Sequence, residues 1–205
     1  MDLRSGAIRL RPLRRRDRDD WQVLRRRNAA WLLPWEATAP DGEPLRASFA
    51  GYVRQLNRAA RQDTGYAYVV EYRGELVGQV TIASVTRGSL QSASIGYWIS
   101  EHVAGRGIIP TAVAMLTDYC FGELGLHRAE INIRPENTAS LRVVAKLGFR
   151  DEGVRRAYLH IQGRWTDHRT FALTAEEVGS GVLERWLATQ PPPSQPPQPD
   201  PPHPR

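Results

Sequence analysis

The sequence predicts an α+β fold, a mostly antiparallel sheet carrying helices, and three observations lead to it. Two pairs of β-branched and aromatic runs are joined by short glycine turns: 66–72 to 75–83 through Arg73-Gly74, and 150–161 to 165–174 through Gln162-Gly163. A helix-period segment at 110–124 separates the strand ending at Ile99 from a strand at 128–134, which is the spacing of a crossover. Strands grouped in runs, without strict alternation with helices, favour α+β over a doubly wound sheet.

Taken in order, Ile8 to Leu13 alternates apolar and polar residues as a first strand, with Pro12 marking an edge or an end. Asp17 or Asp19 can cap a helix reaching about residue 30, whose apolar stripe of Trp21, Leu24 and Trp31 is interrupted by Asn28. Three prolines and a glycine between residues 33 and 44 call for a loop. Helical spacing returns over 45–61 through Leu45, Phe49, Tyr52, Val53 and Leu56. After the first hairpin, Arg87-Gly88 turns the chain into the strand ending at Ile99. The crossover helix places Val113, Leu116, Cys120 and Leu124 on one stripe, with Pro110 in its first turn. Pro135-Glu136-Asn137 opens a helix that ends at Leu147-Gly148, and a short helix at 182–187 follows the last strands. One domain over 1–189 is expected, and the proline-rich residues 190–205 read as a disordered tail.

Of the 205 residues 41% are apolar and 24% charged, ordinary values for a globular chain, and no apolar run approaches the ~20 residues of a membrane span. The N-terminus lacks the apolar stretch of a signal peptide, so a cytoplasmic location is expected. A single cysteine excludes an internal disulfide and multi-cysteine metal sites, and the spacing of the five histidines suggests no metal. The net charge of +6 resides in residues 1–30, where ten arginines face four aspartates. That region is a solvated basic face, or one that suits RNA-rich surroundings.

Chemistry gathers between Ile95 and Gly148. Gly105 and Gly107, lying between a strand and a helix start, allow the main chain to approach an anion closely, and Arg106 adds a charged donor. In the strand that follows, Glu130, Asn132 and Arg134 share the polar face. Glu130 is therefore a candidate base or ammonium ligand, or else the partner of Arg134. Asn137 or Thr138 can cap the next helix, and Ser140 falls in its first turn with a hydroxyl that can return a proton. Cys120 reads as a packed residue. His168 beside Asp167 forms a proton relay or a structural pair. Trp35 can line a pocket, whereas Trp98 and Trp165 suit core packing.

Together these residues resemble the GNAT superfamily of N-acetyltransferases over about residues 7–175. The motifs IGYWI, GxxLHRxE, RPENxxSxRVxxKLGF, EG and YL…GxWxDH are similar to its ribosomal-protein-alanine (RimJ-like) branch. Gly105-x-Gly107 matches the family's coenzyme A loop, with His102 where Gln or Arg is usual. The resemblance implies a sheet of about seven strands splayed between strands 4 and 5, which end at Ile99 and Arg134, with acetyl-CoA entering the splay and no metal. It implies a pyrophosphate on the N–H groups of residues 105–109 and pantetheine beside Tyr97, Trp98 and Ile99. Val103, Gly105, Arg106, Gly107, Ile108, Ile109, Asn137 and Ser140 complete the expected cofactor contacts. Ser140 would protonate the departing thiolate, with Tyr158 as a reserve donor. Trp35, Glu36 and Glu130 would meet the acceptor, the loop at Leu33-Pro34-Trp35-Glu36 suiting that side. The carboxylate base of some relatives has no counterpart at Tyr158-Leu159-His160. The implied acceptor is a protein or peptide N-terminus, ribosomal in the named branch. A small amine, a lysine side chain, or a non-catalytic CoA- or RNA-binding role are the alternatives.

Overall fold

A computed structural model describes residues 2–41 and 48–190. The proline-rich tail and Leu45 therefore lie outside the described residues. The strands are β1 (Leu3–Ser5), β2 (Ile8–Pro12), β3 (Tyr66–Tyr72), β4 (Glu75–Thr86), β5 (Ser92–Ile99), β6 (Arg128–Ile133), β7 (Arg150–Ile161) and β8 (Arg164–Thr174). They form one sheet in the order β1-β2-β3-β4-β5-β6-β8-β7, in which only β5 and β6 run parallel. The expected count was about seven. The additional strand is β1, three residues with one apolar side chain, too short to show a period, and it pairs with β2.

Two helical layers sandwich the sheet. On one side lie α4 (Ile108–Gly122), α5 (Thr138–Leu147) and α6 (Val182–Ala188); on the other lie α1 (Arg18–Arg27), α2 (Ala29–Leu32) and α3 (Phe49–Arg61). Strand alternation divides the two cores: Val70 packs with Val113, Leu116 and Ile131 under α4, while Val69 meets Trp21, Tyr52 and Val53 under α1 and α3. Helix α4 is buried along most of its length, so it reads as apolar on every side rather than as a stripe.

The helix expected from residue 17 to 30 breaks at Asn28. Asp17 does not cap α1 with its side chain; both its oxygens take Arg11 Nη atoms at 2.7 and 3.0 Å, and it also accepts the Arg14 N–H at 2.7 Å. Arg11 completes the cluster with Nε 2.6 Å from Glu71. The basic N-terminal region is thus only partly a solvated face, since Arg9, Arg11 and Arg25 pair with Asp2, Asp17 and Glu36. Pro34 is accommodated in a 3₁₀ turn at Leu33–Trp35, a segment expected to be irregular.

Burial would raise the Asp17 carboxyl, but the Arg11 and Arg14 hydrogen bonds outweigh it and hold the group below its ordinary value. A depressed carboxylate contributes stability above its unfolded value of ~3.9 and loses it as pH falls through the folded one. Replacing Asp17 by Ala leaves the buried Arg11 with Glu71 as its one carboxylate, and we expect a loss of about 2 kcal/mol at pH 7 in denaturant unfolding. That loss should shrink on acidification below pH ~4 as the native aspartate protonates.

Candidate active site

The strands β5 and β6 pair only at Ser92–Arg128, Ala93–Ala129 and Ser94–Glu130. Beyond these positions β5 continues on β4 and β6 on β8, and the two diverge. This is the expected splay, one strand later in number because of β1. Gly78 lets β5 press onto β4 there, because a Cβ on residue 78 would collide with the Trp98 carbonyl. Ser100 donates its N–H to the Val77 carbonyl at 2.7 Å, so alternate residues of β5 direct their main chain toward β4. By the same alternation Tyr97 and Ile99 present theirs to the open edge. Trp98 does not: its backbone serves β4, and its indole packs edge-on against Trp21, 5.4 Å between centroids. The Ile99 carbonyl accepts Trp31 Nε1 at 3.0 Å, which closes that end of the edge.

The glycine loop is held from its base. Asn28, 2% exposed, donates Nδ2 to Ser100 Oγ at 2.8 Å and accepts the Ser100 hydroxyl at 3.0 Å and the Glu101 N–H at 2.9 Å. A 3₁₀ turn at Glu101–Val103 follows, and the Val103 N–H is used on the Ser100 carbonyl. His102 turns inward to Ser100 Oγ (2.8 Å) and Glu75 (3.3 Å), so its ring braces the loop. Gly105 and Gly107 adopt φ of +81° and +76°, the left-handed region, and a Cβ at residue 105 would meet only open space. The first-turn N–H groups of a helix have no intrahelical partner. Those of Ile108 and Ile109 therefore join the loop, and no acidic residue stands in the first turn of α4. Arg106, on the exposed rim, donates to the His102 carbonyl at 3.2 Å.

Across the splay, Asn137 caps α5, its Oδ1 accepting the Ser140 N–H at 3.0 Å. Its amide nitrogen bonds to no described residue, and among those residues the Ser140 hydroxyl meets only the Tyr97 phenol, which leaves its own proton free. The Tyr97 hydroxyl lies 3.5 Å from the Ser140 carbonyl, and burial pushes its phenol up, so it stays protonated. These contacts bring the β5 edge and the α5 start to opposite lips of one opening.

On the side of α1–α3, the polar face of β6 continues onto β8 and β7. Glu130 is not paired with Arg134; Arg128 Nε and Arg155 Nη2 donate to its two oxygens at 2.8 and 2.7 Å. Thr170 donates to Asn132 at 2.8 Å, and His168 stands on the same side two residues earlier. A bulge in β7 gives Ala157 a φ of +46° and sets Tyr158 on the side of Arg155, whose Nη1 donates to the Tyr158 hydroxyl at 3.2 Å. Asp167 neither relays to His168 nor pairs with it: its oxygens take the Ala157 N–H at 2.8 Å and Arg156 at 2.7 Å, which holds the bulge.

The segment 33–38 covers this face. Arg134 donates to the Pro34 carbonyl at 2.7 Å and lies 5.6 Å from the Trp35 ring centroid. Its Nε is 3.2 Å from Glu136 but has no hydrogen-bonding alignment there. Thr38 closes the other end through the His160 carbonyl and ring, each at 2.8 Å. Trp35 is 37% exposed at the rim, and Glu36 is paired with Arg25. Trp165, expected in the core, is 57% exposed against the His160 ring. Cys120 is fully buried, and burial pushes its thiol up to about 12, which disarms it as a nucleophile. No cluster suited to a metal ion occurs among the described residues. Asn28 was the residue that sequence reasoning passed over; its one signal is a polar side chain on an apolar stripe.

A sheet parted beside a glycine loop at a helix start, with a free hydroxyl on the far lip, defines an acetyl-CoA-dependent N-acetyltransferase. The acetyltransferase (GNAT) domain family matches residues 7–150, and the chain belongs to it. Its similarities lie in the RimJ-like branch. Mycobacterium smegmatis RimJ in complex with CoA-disulfide superposes with a TM-score of 0.84 at 40% identity, covering 92% of each chain. The probable N-acetyltransferase YjcK of Bacillus subtilis is 33% identical over 175 residues, 83% of this chain and 96% of that protein. The ribosomal protein uS5-alanine N-acetyltransferase of Escherichia coli is 28% identical over 165 residues, 78% and 85% of the two chains.

The residues present fit acetyl-CoA: two left-handed glycines with open space at Gly105, unpaired helix-start N–H groups and a free strand edge. Asn28→Ala removes the brace under the loop, a loss of about 1.5 kcal/mol of hydrogen bonding. Titration calorimetry should then show coenzyme A binding weakened about tenfold.

Proposed function

We propose that this chain acetylates the α-amine of a protein whose first residue is Ala or Ser, with a ribosomal protein as acceptor in the cytoplasm. The observation that carries the reading is the two-sided opening: a coenzyme A loop and Ser140 on one side of the splay, and a polar face covered by residues 33–38 on the other. The uS5-alanine relative supports the choice of acceptor.

Bound acetyl-CoA supplies an acetyl thioester. The chain must orient it, receive a neutral amine and return a proton to the leaving sulfur. Gly105 to Ile109 offer backbone donors to the pyrophosphate, and the open edge at Tyr97 and Ile99 aligns the pantetheine. Asn137 has a free amide N–H to direct at that arm. Ser140, at the positive end of α5, is the proton donor to sulfur. Near pH 7.4 an α-amine of pKa ~7.8 is about a quarter neutral, whereas a lysine amine is about a thousandth neutral. The acceptor side therefore needs only a weak base. Trp35 and the Glu36 carboxylate form the entrance for the chain end. Glu130, with both oxygens held by arginines, positions Arg155 and Tyr158 rather than taking the proton.

Peptides beginning Ala or Ser, peptides with a blocked terminus and an internal lysine, and a free small amine should be incubated with acetyl-CoA and read by mass spectrometry. Acetylation at the α-amine is expected, and turnover confined to lysine or the small amine would refute the reading. Ser140→Ala should lower kcat about 100-fold, far more than it weakens coenzyme A binding.

A further inference from the structure

Two carboxylates around the polar face already have guanidinium partners: Glu130 with Arg128 and Arg155, and Glu36 with Arg25. His168 differs. Its Nδ1 lies 3.2 Å from the Thr166 carbonyl, a group that can only accept, so Nδ1 carries the ring proton of the neutral imidazole. That leaves Nε2, the ring nitrogen further from the backbone, with a bare lone pair that bonds to no described residue. The ring is oriented by Tyr158, edge-on at 5.6 Å between centroids, and that phenol is itself set by the bulge that Asp167 holds.

We propose that His168 Nε2 is the general base that takes the proton from the acceptor ammonium, directly or through one water. This assignment rests on the α-amine acetyltransferase reading above. One proton of the ammonium passes to Nε2, and the freed lone pair of the nitrogen forms the C–N bond to the acetyl carbon. The C–S bond breaks, and the second proton lost by the nitrogen reaches the sulfur through the Ser140 hydroxyl, which gives one proton and regains one. His168 then releases its proton to water, so one amide, one thiol and one proton are the products.

The surroundings suit a base that is neutral before reaction. His168 is 3% exposed, and burial, aided by the charge of Arg134, outweighs the Thr166 carbonyl, Glu136 and Asp167 and keeps its imidazole below the ordinary histidine value. On the neighbouring strand Arg155 is its cross-strand partner and Tyr158 its aromatic neighbour. An added positive charge is therefore disfavoured until an ammonium delivers the proton and becomes neutral itself.

Two measurements decide the matter. In imidazole-¹⁵N-labelled protein without ligands, NMR should show His168 protonated at Nδ1 and bare at Nε2 at pH 7; a proton on Nε2 overturns the proposal. With an Ala-initiated peptide, His168→Gln should lower kcat about 100-fold at pH 7 with the KM for acetyl-CoA unchanged. The deficit should shrink as pH rises past ~8, where the amine deprotonates unaided. A wild-type rate and pH profile in His168→Gln overturns the assignment, as does a deficit that is constant with pH. Should His168→Gln fail to fold, the tautomer decides. If no peptide is acetylated by the wild type, the acceptor reading falls, and the tautomer still decides whether this face carries a base.

Discussion

Three residue pairs join β5 to β6, and the remainder of each strand runs with one edge released from the other. An open strand edge inside a sheet leaves backbone N–H and C=O groups that must find partners, so such a gap persists only if its surroundings hold it. The tight approach at Gly78 draws β5 onto β4. Trp31 caps the Ile99 carbonyl, and Asn28 ties Ser100 and Glu101 to the helical layer. On the far side β6 is fully laddered to β8. Under the proposed function this one interruption is where the cofactor is recognised, because pantetheine is an extended chain whose amides would satisfy the edge that β6 abandons.

The same interruption organises the charges. Arginine outnumbers lysine overwhelmingly, Lys146 being the only lysine, and planar guanidinium forks allow one carboxylate to be held from two directions. Glu130 is held so by Arg128 and Arg155, and Arg128 also reaches Glu152, which its hydrogen bond draws down to about 2. This network lies at the point where the parallel pairing stops, and it stiffens the closed end of the splay. Further out, Arg134 joins β6 to the segment 33–38 through the Pro34 carbonyl and the Trp35 ring. The face under residues 33–38 is thus built on ion pairs rather than on a deep apolar pocket.

Much of the architecture was legible in the chain because its signals are local. Two hairpins announced by Arg73-Gly74 and Gln162-Gly163, the crossover helix, and Asn137 as the cap of α5 all depend on residues close in sequence. The misreadings share a different cause. Asn28 looked like a flaw in an apolar stripe because its partner Ser100 is 72 residues away. For Glu130 the one structural partner in view was Arg134, four residues on, whereas one true partner, Arg155, lies 25 residues on. Asp167 seemed paired with its neighbour His168, but strand alternation sends adjacent side chains to opposite faces, and a bulge in β7 claims the aspartate. Trp165 looked like core by residue type, and its place near a hairpin tip exposes it.

By itself the sequence determined the fold class, the family and the glycine loop at the start of α4. Glycines at 105 and 107, a helix start, and Asn137 with Ser140 act through backbone geometry within a few residues. Only the tertiary structure decided which side chains are free to act. Whether a carboxylate is a base or a strut depends on what faces it from other strands. The chain folds Arg128 and Arg155 onto Glu130 and Arg25 onto Glu36, sets only a neutral phenol on the Ser140 hydroxyl and leaves one nitrogen of His168 unbonded.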